Sequence, residues 1–272
     1  MIHVRLSLDF PNRFAWVRSV REPSSMISFR AVSKSFGEKQ VLREVSFDVE
    51  AGEVFFIIGA SGVGKSVLIK HLIGLLRPDS GEIWLDGEEV SRFDEARMYP
   101  VRKKCAMVFQ HSTLFDSMTC AENVALPLRK HQALNASAAL SEAHHLLDKV
   151  KMRDFADRFP SELGDGMKKR VAIARALTLS PRYVLFDEPT TSLDPVSARR
   201  VDQLIRELSD SLGVTSIVVS HDLTSIFGIA DRIVMLYKGK VKLLGTPADF
   251  RNSGDGVIQQ FINGRAEGPM EA

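Results

Sequence analysis

A glycine-rich segment between an apolar run and a helical pattern constrains this chain more than any other feature. Residues 54–58 form a continuous apolar run, typical of a strand buried on both faces. Residues 59–66 then match the pattern G-x-x-x-x-G-K-[ST]. Apolar residues recur at helical spacing over 67–76, and we expect Arg77-Pro78-Asp79 to end that helix. The order of strand, loop and helix predicts an α/β fold.

The spacing within this loop suits a nucleotide phosphate. Glycines let the backbone N–H groups wrap around a phosphate, and the N-terminus of the next helix adds partial positive charge. Lys65 would reach the β- and γ-phosphates, and the Ser66 hydroxyl would coordinate Mg²⁺. A glycine turn with a surface lysine is the alternative, which the flanking strand and helix disfavour. The predicted ATP-binding residues of the loop are Gly59, Ala60, Ser61, Gly62, Val63, Gly64, Lys65, Ser66 and Val67.

A second apolar run, residues 183–186, ends in two acids, Asp187 and Glu188. Charges at the end of a buried strand are costly unless they have a role there. Asp187 would hold Mg²⁺ through its water shell, and Glu188 would orient or deprotonate the attacking water. An ordinary acidic loop is the alternative, and it becomes weak beside the phosphate loop.

Patterns at the start of the chain predict a small antiparallel region. Residues 28–32 and 45–49 have the composition of short strands. Residues 82–90 contain Asp86-Gly87, a strong hairpin turn signal.

The rest of the chain predicts one α/β core with a helical insertion. Residues 111–180 are mostly helical in pattern, and residues 216–219 are typical of a buried strand. Between residues 186 and 216, Asp194-Pro195 should begin a helix that Gly213 ends. A hairpin closing at Lys238-Gly239 should follow.

Composition excludes several classes of protein. Of 272 residues, 44% are apolar and 26% are charged, with a net charge of +2, which gives no indication of a nucleic-acid partner. No apolar run approaches the ~20 residues needed to span a bilayer. We interpret Cys105 and Cys120 as reduced thiols of a cytosolic protein. Residues 1–25 lack the apolar core of a signal peptide, which leaves a mistaken start or a loose arm.

With these motifs in place, residues 26–246 resemble the ABC ATPase family. Phe36, in Ser35-Phe36-Gly37, stands where the family places an aromatic residue that stacks on adenine. Gln110 resembles the Q-loop glutamine, which touches Mg²⁺ and water and communicates with the permease. His221 resembles the switch histidine, which contacts the γ-phosphate. The segment resembling the family's D-loop comprises Ser192, Leu193 and Asp194.

The resemblance implies a P-loop NTPase (RecA-like) core with an antiparallel β subdomain and an inserted α-helical subdomain, of the ABC cassette type. It divides the chain into an extension (1–25), an ABC ATP-binding domain (26–246, with the helical insertion at about 111–180) and a tail (247–272). Two cassettes would pair head to tail as a homodimer, with each ATP between one phosphate loop and the other chain's signature helix. The implied catalytic residues are Glu188, His221 and Gln110, and the implied Mg²⁺ ligands are Ser66, Gln110 and Asp187.

The signature segment departs from the family. The family has Leu-Ser-Gly-Gly-Gln or a close variant, whereas this chain has Leu163, Gly164, Asp165, Gly166 and Met167. The family serine donates a hydroxyl to the γ-phosphate held by the partner chain, and Gly164 cannot. Asp165 brings a negative charge to the helix N-terminus that should receive phosphate, unless it turns away and caps its own helix. Either way, we expect weak ATP-driven closure of a homodimer.

Other segments resemble the ATPases of Mla/MCE-type phospholipid transport. They are residues 114–119, 122–125, 166–171, 236–240 and 245–265. This implies integral-membrane permease subunits and an MCE-domain lipid-binding protein as partners, with no nucleic acid. The chain would be cytoplasmic and peripheral on the inner face of the cytoplasmic membrane, through the permease. Taken alone, Lys168-Lys169-Arg170 indicates only a solvated helix face.

Three alternatives are less well supported by the sequence. An ABC import ATPase for another cargo, such as an amino acid or a metal chelate, fits the tail and residues 114–119 poorly. Soluble ABC proteins acting on ribosomes usually carry two cassettes, and those acting on DNA carry a long coiled coil, but this chain has room for one cassette and no sustained heptads. A P-loop kinase would not explain Gln110, the D-loop and His221 together.

Overall fold

Two β-sheets organise the computed structural model, which describes residues 26–270. The first sheet is antiparallel and four-stranded. Its strands are β1 (Ile27–Phe36), β2 (Lys39–Val49), β4 (Ser80–Leu85) and β5 (Glu88–Glu89). Their spatial order is β2-β1-β4-β5. The predicted antiparallel region and the hairpin turn at Asp86-Gly87 are confirmed, and β1 and β2 are longer than the sequence patterns indicated.

The second sheet has six strands and carries the phosphate loop at one edge. Its strands are β3 (Val54–Gly59), β6 (Cys105–Val108), β7 (Tyr183–Asp187), β8 (Thr215–Val219), β9 (Arg232–Tyr237) and β10 (Lys240–Gly245). They lie in the order β10-β9-β3-β8-β7-β6, all parallel except β10. The carboxyl ends of the parallel strands therefore meet at one edge of the sheet.

Helices cover the second sheet and fill the long connection between β6 and β7. The helices are α1 (Lys65–Leu72), α2 (Glu95–Lys104), α3 (Cys120–Gln132), α4 (Ala136–Lys149), α5 (Asp165–Leu177), α6 (Pro195–Leu212), α7 (Leu223–Ile229), α8 (Pro247–Arg251) and α9 (Gly256–Ile262). Of these, α3, α4 and α5 pack on one another. Thr119 begins α3 with a capping box, and the Asn135 side chain caps α4.

The core has two apolar clusters, one on each face of the central strand β3. Val54, Phe56 and Ile58 pack with α3–α6, whereas Phe55 and Ile57 pack with α1 and the antiparallel sheet. All five side chains are fully buried. The continuous apolar run therefore forms a strand covered on both sides, as the sequence predicted.

The predicted limits of two helices have different outcomes. Helix α6 begins after Asp194 and ends at Gly213, whose φ of +65° fits a glycine cap, so this prediction is confirmed. The prediction that α1 continues to Arg77 is wrong, because α1 ends at Leu72. Gly74 (φ +67°) turns the chain, and the N–H groups of the next two residues bond back to the Lys70 carbonyl.

The last two helices pack on the core, and two predictions concern a membrane span and the first 25 residues. Helices α8 and α9 bury Phe250, Val257 and Ile258 against the core. Within residues 26–270, no helix is both long enough and apolar enough to span a bilayer. The prediction for residues 1–25 lies outside the described residues.

Candidate functional site

Glycines at both ends of the phosphate loop hold backbone shapes that other residues avoid. Gly59 has a φ of +139°, and a Cβ there would lie 2.4 Å from the carbonyl oxygen of Leu236. Gly64 has a φ of +109°, and a Cβ there would lie 2.6 Å from the Leu42 side chain. A side chain at either position would clash, so both positions require glycine. The loop therefore lies in close contact with β9 and β2.

The Lys65 side chain bends back over the phosphate loop. Its ammonium group donates to the carbonyl oxygens of Gly59 and Ala60, at 2.9 and 3.1 Å. Burial lowers the pKa of Lys65, and the carboxylates of Glu188 and Asp187 act in the opposite direction. A cation thus lies within the loop, close to the two acids at the end of β7.

The pair Ser66 and Asp187 joins α1 to β7. The Ser66 hydroxyl donates to Asp187 Oδ1 at 2.7 Å. A hydroxyl and a carboxylate supply the oxygen ligands that Mg²⁺ prefers, so the residues present fit this metal ion. Gln110 is exposed and follows β6 at the same sheet edge, because Val108 pairs with Phe186.

Glu188 contacts two other side chains at this edge. Its carboxylate Oε2 lies 2.8 Å from Nδ1 of His221 and accepts a hydrogen bond of 3.1 Å from the Thr191 hydroxyl. Its backbone has a φ of +51°, and its N–H donates to the Val219 carbonyl at 2.9 Å. The parallel pairing of β7 with β8 therefore unites an acid and a histidine that are distant in sequence.

The segments that follow β7 and β8 each lead into a helix that is capped by an aspartate. Asp194 accepts hydrogen bonds from the N–H groups of Val196 and Ser197 and caps α6. Asp222 likewise caps α7, directly after His221. Ser192 adopts a φ of +68° between Glu188 and Asp194.

A charged cluster that the sequence did not reveal joins these two helices. Arg199 on α6 contacts Asp202 at 2.7 Å and also pairs with Asp222, the N-cap residue of α7. Burial raises the pKa of Asp202 to about 6, and the single Ser225 hydroxyl lies within hydrogen-bond distance of both acids, 3.0 Å from Asp202 and 2.9 Å from Asp222. Only the fold brings these residues together, since α6 and α7 are separated by β8.

The signature segment begins α5 without a side-chain cap. Gly164 is the N-cap residue, and Asp165 is the first residue of the helix. The prediction that Asp165 could cap its own helix is therefore wrong, because no side chain makes a capping hydrogen bond at the start of α5. Its exposed carboxylate lies 3.7 Å from the Lys168 ammonium group instead. An acid in the first turn is still favourable to the helix.

The signature segment and the D-loop line one cavity of about 510 Å³. Gly166 packs against α6, the helix that follows the D-loop, since a Cβ there would lie 2.8 Å from the Ser197 Cβ. By contrast, a Cβ at Gly164 would meet nothing within 4 Å. The residues of the two motifs that line the cavity are Gly164, Asp165, Gly166, Met167, Ser192, Leu193 and Asp194.

Phe36 lies at the end of β1 with 47% of its surface exposed. The Lys34 ammonium group lies 5.6 Å from its ring centre. The neighbouring strand β2 contacts the phosphate loop, because Val41 Cγ1 would lie 2.9 Å from a Cβ at Gly64. An exposed ring therefore stands at the end of the strand pair that reaches the loop.

The interpretation of residues 168–170 as a solvated face is wrong for Lys169. Only 2% of Lys169 is exposed, and its ammonium group donates to the Phe109 and Gln110 carbonyls. Burial lowers the pKa of Lys169 to about 8. The sequence held a signal, because Lys169 shares helical spacing with the buried Ile173 and Leu177.

A phosphate loop after β3, paired acids after β7 and a histidine after β8 meet at one sheet edge, the arrangement of a P-loop ATPase. The family model described as "ABC transporter" matches residues 42–191. The intermembrane phospholipid transport system ATP-binding protein MlaF of Escherichia coli (strain K12) is 38% identical over 247 residues, 91% of this chain and 92% of that protein.

Two further comparisons agree. The probable ribonucleotide transport ATP-binding protein mkl of Mycobacterium leprae is 36% identical over 244 residues, 90% of this chain and 70% of that protein. The dimeric post-hydrolysis structure of the ATP-binding cassette MJ0796 with ADP and Pi is 31% identical, with a TM-score of 0.74, and covers 82% of this chain and 99% of its own.

The chain belongs to the ABC transporter family. It is the ATP-binding, ATP-hydrolysing subunit of such a system, and the predicted cassette fold is confirmed.

Proposed function

We propose that this chain powers the movement of phospholipid between membranes, and that Glu188 is its catalytic carboxylate. The observation that carries the catalytic assignment is the contact between Glu188 and His221, next to the Ser66–Asp187 pair. Four functional groups from α1, β7 and β8 thus meet where the γ-phosphate of a bound nucleotide would lie.

The phosphate loop binds the nucleotide in this proposal. The backbone N–H groups of residues 59–67 face the phosphates, and Lys65 leaves the Gly59 and Ala60 carbonyls to pair with the β- and γ-phosphates. Phe36 stacks on the adenine ring, which its exposure at the end of β1 supports.

Magnesium would be held by Ser66 and Asp187, with Gln110 completing the ligand set. The 2.7 Å approach of the two oxygen atoms supports this assignment. When bound, Mg²⁺ neutralises charge on the phosphate oxygens.

Hydrolysis then depends on Glu188 and His221. Glu188 orients the attacking water and accepts its proton, while the Thr191 hydroxyl holds the carboxylate in place. The 2.8 Å contact of His221 Nδ1 with Glu188 orients the ring, and His221 contacts the γ-phosphate, as the family resemblance implies.

A second copy of the chain supplies the other side of the nucleotide site. Two cassettes pair head to tail, so that residues 163–167 of one chain approach the γ-phosphate bound by its partner. The dimeric cassette structure with ADP and Pi supports this pairing. Residues 26–246 would form the cassette and residues 247–272 its tail.

Phospholipid is the proposed cargo because two lines of support agree. Residues 114–119 and the tail resemble Mla/MCE-type ATPases, and the phospholipid transport protein MlaF aligns over nearly the whole chain. The partners would then be permease subunits and an MCE-domain protein, with this chain peripheral on the cytoplasmic face of the membrane. Another cargo is the competing proposal, because mkl is named for ribonucleotide transport.

Purification of the native complex tests this function. We expect the full-length chain to carry a multi-span permease and an MCE-domain protein with it in mild detergent. In reconstituted vesicles, ATP should then drive transfer of labelled phospholipid, and a complex with Glu188→Gln should not. Copurification with a soluble receptor for amino acids or nucleotides, without lipid transfer, would contradict the proposed cargo.

A further inference from the structure

A buried lysine of α5 binds the segment that leaves β6. The Lys169 ammonium group donates to the carbonyl oxygens of Phe109 and Gln110, at 2.9 and 2.6 Å. Strand pairing ends at Val108, so both carbonyls lie beyond the sheet. A cation buried to this degree is costly unless it is hydrogen-bonded, and backbone carbonyls supply those bonds here.

A second cation on the same helix binds the residues that follow. The Arg175 guanidinium group donates to the Ser112 carbonyl at 3.3 Å, to the Thr113 carbonyl at 2.9 Å and to the Thr113 hydroxyl at 3.1 Å. We call residues 109–113 the tethered loop. Five hydrogen bonds from two side chains of α5 therefore fasten the tethered loop along its length.

The tethered loop lies between two functional parts of the molecule. Gln110 is within it, at the sheet edge that carries Asp187. The helix that holds the loop starts at Asp165, in the signature segment, about one turn before Lys169. Because a helix moves as a stiff unit, a displacement of the signature segment would carry the tethered loop with it.

We propose that Lys169 and Arg175 are positioning residues. They couple the position of Gln110 to the position of α5, the helix that begins in the signature segment. Contact of the signature segment with a partner's nucleotide would thus be transmitted to the chain's own hydrolytic site. This inference rests on the proposed role of Gln110. Lys169 and Arg175 would then contribute to turnover as well as to packing.

The first test replaces Lys169 in the full-length protein. Lys169→Met keeps the length of the side chain and removes its donors, and Lys240→Met is the control because Lys240 is exposed on β10. We expect Lys169→Met to lower kcat about tenfold or more, since a misplacement of 1 Å can cost ~100-fold. The Kd for ATP should stay within about twofold of wild type. An unchanged kcat, or a Kd that rises in step with the loss of kcat, would overturn the proposal.

A double-mutant cycle with Gln110→Ala separates positioning from general stability. If Lys169 acts through Gln110, Lys169→Met should lower kcat little further in the Gln110→Ala background. Fully additive losses would overturn this inference and leave the role of Gln110 intact. If Gln110→Ala alone leaves kcat unchanged, the proposed role of Gln110 fails first, and the inference fails with it.

Arg175 provides an independent variant if Lys169→Met does not fold. Arg175 is only partly buried, and Arg175→Met removes three of the five hydrogen bonds. The same cycle should show the same lack of additivity with Gln110→Ala. Arg175→Lys keeps the charge and an ammonium donor group but loses the fork of the guanidinium group, and it should recover part of the lost kcat. Additive losses without this recovery would show a merely structural role.

Discussion

The two sides of this cassette differ in how much of the chemistry they hold. On the phosphate-loop side, Lys65, Ser66, Asp187, Glu188 and His221 all meet partners within the same chain. On the signature side, residues 163–167 present a helix N-terminus, no hydroxyl at Gly164 and an exposed acid at Asp165. In the proposed function, the first side orients the reaction, whereas the second completes a site that another chain provides.

The largest expected effect comes from the phosphate-loop side. Glu188→Gln removes the proton acceptor but keeps a side chain of the same size beside Thr191 and His221. We expect kcat to fall about 10²–10⁴-fold, with ATP affinity retained. Steady-state ATPase assays and nucleotide binding measure the two quantities. Turnover at the wild-type rate would remove Glu188 from the catalytic site.

A smaller loss is expected when binding rather than chemistry is changed. Lys65→Ala removes a cation that pairs with the phosphates, a charged hydrogen bond worth about 1.5–3 kcal/mol. The Kd for ATP should therefore rise roughly 10- to 150-fold. Titration with a fluorescent ATP analogue measures it, and Lys240→Met, which changes an exposed lysine on β10, serves as the control. Equal Kd values would contradict the role of Lys65.

The signature side predicts a gain instead of a loss. Gly164→Ser with Asp165→Gly adds a hydroxyl donor and removes a negative charge at the start of α5. We expect the ATP concentration for half-maximal turnover to fall about tenfold, the lower part of the range for a charged hydrogen bond. Gly164→Ala with Asp165→Gly is the matched control that lacks the hydroxyl. An unchanged ATPase curve would mean that the helix N-terminus alone suffices.

The smallest expected effect is a difference in stability between alanine variants of the two signature glycines, Gly164 and Gly166. A methyl group at Gly166 would press on Ser197, whereas one at Gly164 meets open space. Overpacking costs about 1–3 kcal/mol, and the helix propensity of alanine recovers up to about 1. We expect Gly166→Ala to lose roughly 1–2 kcal/mol in chemical denaturation and Gly164→Ala, at an N-cap position that favours glycine over alanine, to lose about 0.5 kcal/mol. Equal stabilities would contradict the close contact of α5 with α6.

Local patterns predicted the phosphate-loop side well. The buried strand, the loop glycines and the acids after β7 are each contained within a few consecutive residues, so spacing alone located them. The end of α1 was missed because Gly74 turns the chain before Arg77, and apolar spacing continues through the turn.

Contacts between segments that are distant in sequence could not be predicted from local patterns. The bond between Glu188 and His221 depends on the pairing of β7 with β8. The contacts of Lys169 with the tethered loop cross about sixty residues of sequence, and helical spacing indicates only that Lys169 faces inward, not which segment it contacts. Such contacts are decided by packing, which periodicity indicates only in part.

In the proposed function, each nucleotide site is shared between two chains. Mixed dimers test it, with Glu188→Gln in both chains so that bound ATP persists. One block is Lys65→Ala. The other is Gly164→Glu, which adds negative charge on the signature side at a position with free space in the monomer. The blocks are placed either in the same chain or in opposite chains.

The measurement is the amount of ATP retained per differently tagged dimer after rapid desalting. With shared sites, blocks in opposite chains leave one complete site, and one ATP should be retained. Blocks in the same chain disrupt both sites, and almost none should be retained. Equal retention in the two arrangements would mean that each chain binds ATP alone, and it would contradict a nucleotide site shared between two chains.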